Sequence, residues 1–374
     1  MKSLFFFGTL RYVPLLSLVL GRDAEALDVT QASLPGHQVH WAKDQAFPMI
    51  VKGAGVAQGL LVEGLSDEDV ARLNYYEGGF DYTLRDVTLE AGSGTRTSQV
   101  YFPTEGVWVA GDPWVLEDWV QRWGEMTLYA AIEVMSYLGT LNADQVAAMF
   151  PMIRARATAR VNARQSNPAL SPSGFSDQDV TVTAVSRRYV NFFALDEYDL
   201  SFRRYDGGAS NMVLRAVFQG SDAAIVLPYD PVRDRVLLIE QFRPGPFARG
   251  DEKPWQLEPI AGRVDAGETP KETAHRETRE EAGLSLRELH DVSHCYASPG
   301  CTTEYYHIYL GICDLPDDVT GISGIESEAE DIRSYLFDFD ELMDMVDKMQ
   351  AVNAPLVLAA LWLARHRERL RAGA

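Results

Sequence analysis

The chain has 374 residues, 46% of them hydrophobic and 24% charged, with a formal net charge of −20. That length allows two domains, each able to bury its own core. The acidic balance speaks against a nucleic-acid backbone as partner, which needs clustered Lys and Arg, although a small anionic substrate is compatible if metal ions bridge it to carboxylates. The three cysteines, Cys295, Cys301 and Cys313, form no CxxC pair and leave one over. This suits a reducing cytoplasm better than a disulfide framework or a zinc site.

The first residues imitate a signal peptide, with Lys2 before Leu4-Phe5-Phe6-Phe7 and a later apolar run from Leu15 to Leu20. Gly8-Thr9 and Arg11 interrupt that core and Pro14 divides the rest, so a strand, a turn and a helix are expected instead. No run elsewhere reaches membrane-spanning length, and a cytoplasmic protein with no membrane partner is expected.

Apolar spacing predicts strands over 4–7, 56–62, 87–89 and 99–102. It also predicts a helix over 66–76 capped by Ser66, and longer helices over 113–138 and 142–162. Phe7-Gly8-Thr9-Leu10-Arg11 opens this half, and Tyr76-Glu77-Gly78 with Tyr82 and Arg85 follows the first predicted helix. On these motifs residues 1–163 resemble the gamma-glutamylcyclotransferase-like (AIG2-like) family, with Phe7 where the family usually has Tyr. The resemblance implies an α+β domain built on a small β-barrel. It implies a substrate carboxylate held by the backbone of Gly8, Thr9 and Leu10, with Glu77 as the proton shuttle in forming 5-oxoproline from a gamma-glutamyl amine. Such a role needs a carboxyl raised toward neutrality by burial, for which Tyr75, Tyr76 and Phe80 offer an apolar wall. Two alternatives stay open: Glu77 simply ends a helix, or the domain is a sensor or docking module.

Residues 164–179 carry Ser166, Pro168, Ser171, Pro172, Ser173, Gly174 and Ser176 with little apolar content and are expected to be a linker. Beyond it, residues 180–374 read as a second domain. Strands are expected over 180–185, 192–198, 200–205 and 212–218, then a hairpin of 223–229 and 235–242 around Pro231. Further strands are expected over 256–260, 305–313 and 334–338, with helices over 340–348 and 355–371. Mixed strands with helices on both sides predict an α/β/α sandwich.

The most informative stretch is Gly262–Leu284. Thr269, Pro270 and Glu272 form an N-cap, a first-turn Pro and a capping-box partner, and Gly283 is the matching stop. Ala274, Thr278 and Ala282 share a small-residue face. The next arc carries Glu277, Glu280 and Glu281. The Glu277/Glu281 pair costs ~0.2–0.5 kcal/mol by like-charge repulsion, and both lie toward the negative end of the helix dipole. Either this face is simply solvated, or a hard divalent cation neutralises it.

The stretch fits G-x5-E-x7-R-E-U-x-E-E-x-G-U and so resembles the Nudix box, with Thr278 at a usually aliphatic position. The resemblance implies hydrolysis of a nucleoside diphosphate linked to another moiety, with Mg2+ or Mn2+ on the box glutamates. Within the family, the segments around Pro228, Arg243 and Glu258, together with Pro299 sixteen residues beyond Gly283, resemble the ADP-ribose pyrophosphatase subgroup. That implies the Ala261 carbonyl, Glu277, Glu281 and Glu330 as metal ligands. Glu280 would hold a water on the metal or stand in its outer shell, and Glu328 would be the general base. Arg243 would grip the diphosphate and Glu304 the terminal ribose, with Glu258, Pro299 and Arg215 also among the substrate contacts. Ala216 stands where the family has a Glu that contacts the base. A homodimer joined through the strands before residue 223 is likewise implied. Hydrolysis of another nucleoside diphosphate sugar, such as GDP-mannose, is the alternative within this site.

Overall fold

The computed structural model describes residues 2–78, 82–92, 94–166, 170–324 and 331–373. It divides into two compact units, Met1–Ser166 and Asn167–Ala374.

The first unit runs β1 (Lys2–Phe6), α1 (Val13–Leu20), β2 (Asp28–Ala42), β3 (Pro48–Leu65), α2 (Asp67–Glu77), β4 (Tyr82–Ala91) and β5 (Gly94–Pro103). It continues through β6 (Ala110–Pro113), α3 (Leu116–Trp119), α4 (Glu125–Ser136) and α5 (Ala143–Gln165). Strands pair in the order β3-β1-β5-β4-β2, and a further β2–β3 pairing closes them into a five-stranded barrel. The β1–β5 pair is parallel and the others are antiparallel. Phe5, Phe7, Leu61, Leu89 and Val100 fill the interior. Gly59 must be glycine there: a Cβ would lie 2.4 Å from the Phe5 ring.

Ser66 caps α2 in a capping box with Asp69, as the sequence predicts. The spacing gives no strand over Asp28–Ala42, whose mixed residues lack a clean alternation; the segment nevertheless pairs with β3 from Asp28 to Trp41, with a register shift between Pro35 and His37, and closes the barrel. The helix expected over 113–138 is interrupted: α3 and α4 are joined by a π turn over Val120–Gly124. Such a turn cannot be read from apolar spacing, and π turns concentrate at functional sites.

The second unit begins with an antiparallel three-stranded sheet of β7 (Val180–Val190), β8 (Ala194–Phe202) and β9 (Val213–Gln219). The separate strand expected over 200–205 is the end of β8 and the loop after it. The unit continues through β10 (Asp222–Asp230), β11 (Arg235–Phe242), α6 (Pro244–Arg249), β12 (Trp255–Glu258), β13 (Ile260–Arg263) and α7 (Pro270–Ala282). Then come β14 (Glu288–Tyr296), β15 (Tyr305–Ile312), β16 (Ile322–Ser323), β17 (Ile332–Asp338), α8 (Phe339–Asp347) and α9 (Ala354–Ala372). The central sheet is mixed: β10 runs parallel to β15 and antiparallel to β11 and β13.

Alternation along β10 assigns its two faces. Ala224 and Val226 pack with Ala274 of α7, whereas Ile225, Leu227 and Tyr229 pack with Leu342 of α8 and with Leu356 and Leu363 of α9. Each such fully buried leucine contributes about 1.5–3 kcal/mol. The sheet is therefore a layer between helices, the predicted sandwich. No helix among the described residues is long and apolar enough to cross a membrane.

Candidate active site

Helix α7 forms as its sequence dictates. Thr269 accepts from the Glu272 amide and Glu272 reciprocates to the Thr269 amide, Pro270 opens the first turn, and Gly283 closes the helix in the left-handed conformation at φ 64°. Ala274 and Thr278 are fully buried. The hydroxyl of Thr278 donates to the Ala274 carbonyl at 2.7 Å, so a polar residue at a usually aliphatic position leaves no unsatisfied group.

The acidic face is organised by a residue to which sequence reasoning gave no role. Arg276 donates to both oxygens of Glu268 at 2.9 Å, to Glu277 at 2.7 Å and to Glu280 at 3.0 Å. Burial pushes the Glu268 carboxyl up, but the bonds from Arg276 and Thr273 outweigh it and hold Glu268 below its ordinary value. The repulsion expected along this face is thus partly met by a cation within the helix. Its signal was present in the sequence as the i,i+4 pair Arg276/Glu280.

Glu277 and Glu281 turn toward β13. The amide of Ala261 donates to Glu281 at 3.4 Å, and Glu281 is only 3% exposed. Glu277 lies so close to the strand that a Cβ on Gly262 would stand 1.9 Å from its Oε1. Gly262→Ala should therefore push Glu277 out of place. An overlap that severe predicts at least about a tenfold loss of the metal-dependent hydrolysis that the resemblance implies, with a circular-dichroism spectrum like that of wild type; unchanged hydrolysis would show that Glu277 need not sit there.

Two carboxylates beside the 261–262 backbone offer hard oxygen donors of the kind that suit Mg2+ or Mn2+. Among the described residues no three His, Cys, Asp or Glu side chains converge as a ligand set. Glu328 and Glu330 lie outside the described residues. On the described side, Ser323 donates to the backbone carbonyl of Glu281.

A second cluster gathers around Glu258, the last residue of β12. Arg243 donates through Nε to Glu258 at 2.7 Å, and Asn353, the N-cap of α9, donates to the other Glu258 oxygen at 3.2 Å. Burial raises the Glu258 carboxyl while Arg243 opposes the shift. Glu304 is also raised by burial; it accepts from the Tyr306 hydroxyl at 3.3 Å and feels Arg243. Arg243, Glu258 and Glu304 are thus neighbours, joined by Tyr306 and Asn353, which no motif had indicated. Pro299 is exposed in the β14–β15 turn. Arg215 is exposed on β9, donating to the Leu214 carbonyl; among the described residues no hydrogen bond or ion pair joins it to the Arg243 cluster.

The first unit holds a cavity of about 390 Å³, within the size range of small-molecule sites. Gly8, Thr9, Leu10 and Glu77 all line it, together with Tyr76, Tyr82 and Tyr101. Burial raises the Glu77 carboxyl from 4.5 to about 7. Tyr76, Tyr82 and Tyr101 are themselves raised, chiefly by burial and then by Glu77. The wall beside Glu77 therefore differs from the expected one: Tyr82 and Tyr101 join Tyr76, Tyr75 is not part of the lining, and Phe80 lies outside the described residues.

Comparison with known proteins matches residues 220–360 to the NUDIX domain family and residues 4–121 to the family described as gamma-glutamyl cyclotransferase, AIG2-like. The ADP-ribose pyrophosphatase of Escherichia coli (strain K12) is 38% identical over 200 residues, covering 54% of this chain and 95% of that protein. Its counterpart from Haemophilus influenzae is 32% identical over 191 residues, covering 50% and 88%. A GDP-mannose pyrophosphatase from Yersinia enterocolitica is 31% identical over 147 residues, covering 39% and 76%.

Proposed function

The chain belongs to the Nudix family, with a gamma-glutamyl cyclotransferase-like domain before the Nudix domain, and from that premise we propose that it hydrolyses the diphosphate of ADP-ribose to AMP and ribose 5-phosphate. The observation that carries the substrate is the 38% identity to ADP-ribose pyrophosphatase across 95% of that protein; the GDP-mannose relative is matched at 31% across 76%.

In this reading Glu277, Glu281 and the Ala261 carbonyl hold Mg2+ or Mn2+, joined by Glu330. When bound, a divalent ion neutralises the diphosphate and polarises the phosphorus under attack. Arg276 keeps Glu277 and Glu280 oriented through its paired N–H groups. Arg243 uses one N–H on Glu258 and offers the rest of its fork to phosphate oxygens, where a planar guanidinium binds in bidentate fashion. Glu304 accepts from ribose hydroxyls. Water attacks phosphorus, the bridging P–O bond breaks, and Glu328 takes the proton. The test is a panel of ADP-ribose and GDP-mannose with Mg2+, scored by kcat/KM. Discrimination by groups that hydrogen-bond one base or sugar should reach at least about tenfold in favour of ADP-ribose; a preference for GDP-mannose would overturn the assignment.

The same reading makes the protein a homodimer through β7–β9. Val182, Val185 and Leu214 are 48–53% exposed on that small sheet, with Leu214 on the face opposite Val185, and a second copy would cover such apolar side chains. Sedimentation at micromolar concentration should give twice the chain mass of 41.7 kDa; a single-chain mass would remove the dimer.

One observation favours a second reading, for the first unit. Glu77, raised to about 7 inside a cavity it shares with Gly8, Thr9 and Leu10, has the proton affinity that general acid–base work near neutrality requires. It supports gamma-glutamyl cyclotransferase activity as a separate function of that domain.

A further inference from the structure

Arg243 is held at two points. Its backbone amide donates to the Pro254 carbonyl at 3.0 Å, which carries the β11–β12 pairing one residue further. Its Nε donates to Glu258, and among the described residues no hydrogen bond holds its two terminal nitrogens. The arginine side chain is 38% exposed and that of Glu258 only 6%. One edge of the guanidinium therefore rests on a buried carboxylate while the rest stays open.

That carboxylate is committed inside the protein. One oxygen receives Arg243 at 2.7 Å and the other receives Nδ2 of Asn353 at 3.2 Å; Gln241 hydrogen-bonds it as well. A buried carboxylate that loses a donor takes up a proton or turns toward water. Either response weakens or removes the acceptor on which Arg243 rests. The direction of the guanidinium thus depends on the other donors to Glu258.

Asn353 stands out among these donors because it already has a second task. Its Oδ1 accepts from the Leu356 amide at 3.0 Å and so caps α9. Only one orientation of the side-chain amide lets Oδ1 cap the helix while Nδ2 donates to Glu258. For capping alone, Asp or Ser would serve as well. Asp would set a second carboxylate against Glu258, and Ser has no further polar atom to send there. Asparagine caps the helix and still supplies a donor.

We infer that Asn353 is a positioning residue for diphosphate hydrolysis: acting through Glu258, it aims the guanidinium of Arg243 at the phosphates. The inference rests on the reading of Arg243 as the grip on the diphosphate. It makes Glu258 a brace for that arginine rather than a substrate contact. It also makes the start of α9 part of the construction of the site.

The experiment is steady-state kinetics of the full chain with Mg2+, on ADP-ribose and on GDP-mannose. It compares wild type, Asn353→Ser, Asn353→Asp, Arg243→Lys and the double variant Asn353→Ser/Arg243→Lys. Loss of one hydrogen bond to a charged group should raise KM about 10-fold in Asn353→Ser, with kcat within about twofold of wild type. A grip made equally in the bound substrate and the transition state shows in KM rather than in kcat. Asn353→Asp keeps the cap and should raise KM at least as much; it replaces the serine variant if a melting curve shows that the latter is unfolded. In the Arg243→Lys background Asn353→Ser should change KM by less than about twofold, because lysine has no Nε edge to brace. An asparagine that served α9 alone would act equally in both backgrounds. Equal effects there, or a wild-type KM for both Asn353 variants, overturn the inference while leaving Arg243 in its role. A wild-type KM for Arg243→Lys, or no hydrolysis of either substrate by wild type, overturns the Arg243 reading and the inference together.

Discussion

Glu281→Gln should reduce Mg2+-dependent AMP release from ADP-ribose by about 10²–10³-fold, because a metal's charge stabilisation is worth several kcal/mol and each ~1.4 kcal/mol is tenfold in rate. The substitution isolates charge from shape. Glu281 is 3% exposed and accepts a hydrogen bond from the Ala261 amide; glutamine keeps the volume and one acceptor oxygen. The fold should therefore survive. In EDTA the variant should melt no lower than wild type, since a like-charge pair with Glu277 has been relieved by ~0.2–0.5 kcal/mol. Wild type should lose its hydrolysis in EDTA and regain it with Mg2+. Equal AMP release by wild type and variant at saturating Mg2+ would remove Glu281 from the metal site.

The second large effect concerns the first unit. Glu77→Gln should lower 5-oxoproline formation by about 10²–10⁴-fold, the usual contribution of a positioned acid–base group, while ADP-ribose hydrolysis stays at the wild-type rate. The wild-type pH profile of kcat/KM should rise through about pH 7, where the carboxylate becomes available to take a proton. Stability should run the opposite way. A carboxyl whose value is about 7 when folded and 4.5 otherwise binds more protons in the native state across that interval, so stability falls as pH rises through it. Glu77 is only half-buried and solvent in the cavity moderates the cost, so about 1–3 kcal/mol is expected. The glutamine variant should lack this slope. Product formation that is the same in both proteins would take Glu77 out of the chemistry; product in neither would favour a binding module.

The two sites were legible in the sequence to different depths, for a physical reason. The α7 site is local. Cap, stop, buried face and acidic arc all follow from helical spacing within Gly262–Leu284, so a strip of sequence specifies which side chains lie together. Arg276 was visible in the same strip; only its choice of Glu268, Glu277 and Glu280 required coordinates. By contrast, the Arg243–Glu258–Asn353 link joins residues ninety-five positions apart, and no periodicity reports on such a contact.

The cavity of the first unit shows the same division more sharply. Sequence alone singled out Gly8, Thr9, Leu10 and Glu77 through short motifs, and anticipated that Glu77 needs an apolar wall. The residues that line the cavity are scattered from Phe5 to Arg154, and the barrel closes through a strand, Asp28–Ala42, that lacks a readable alternation. For α7, then, the sequence by itself determined the helix, its ends and the three glutamates that point to a cation, because those features are set by neighbours within four residues. Tertiary structure alone decided that Gly262 makes room for Glu277, and that Trp123 of the π turn joins Trp108 and Trp119 around the Glu77 cavity. Each of these depends on contacts between separate elements, which packing of the whole domain selects.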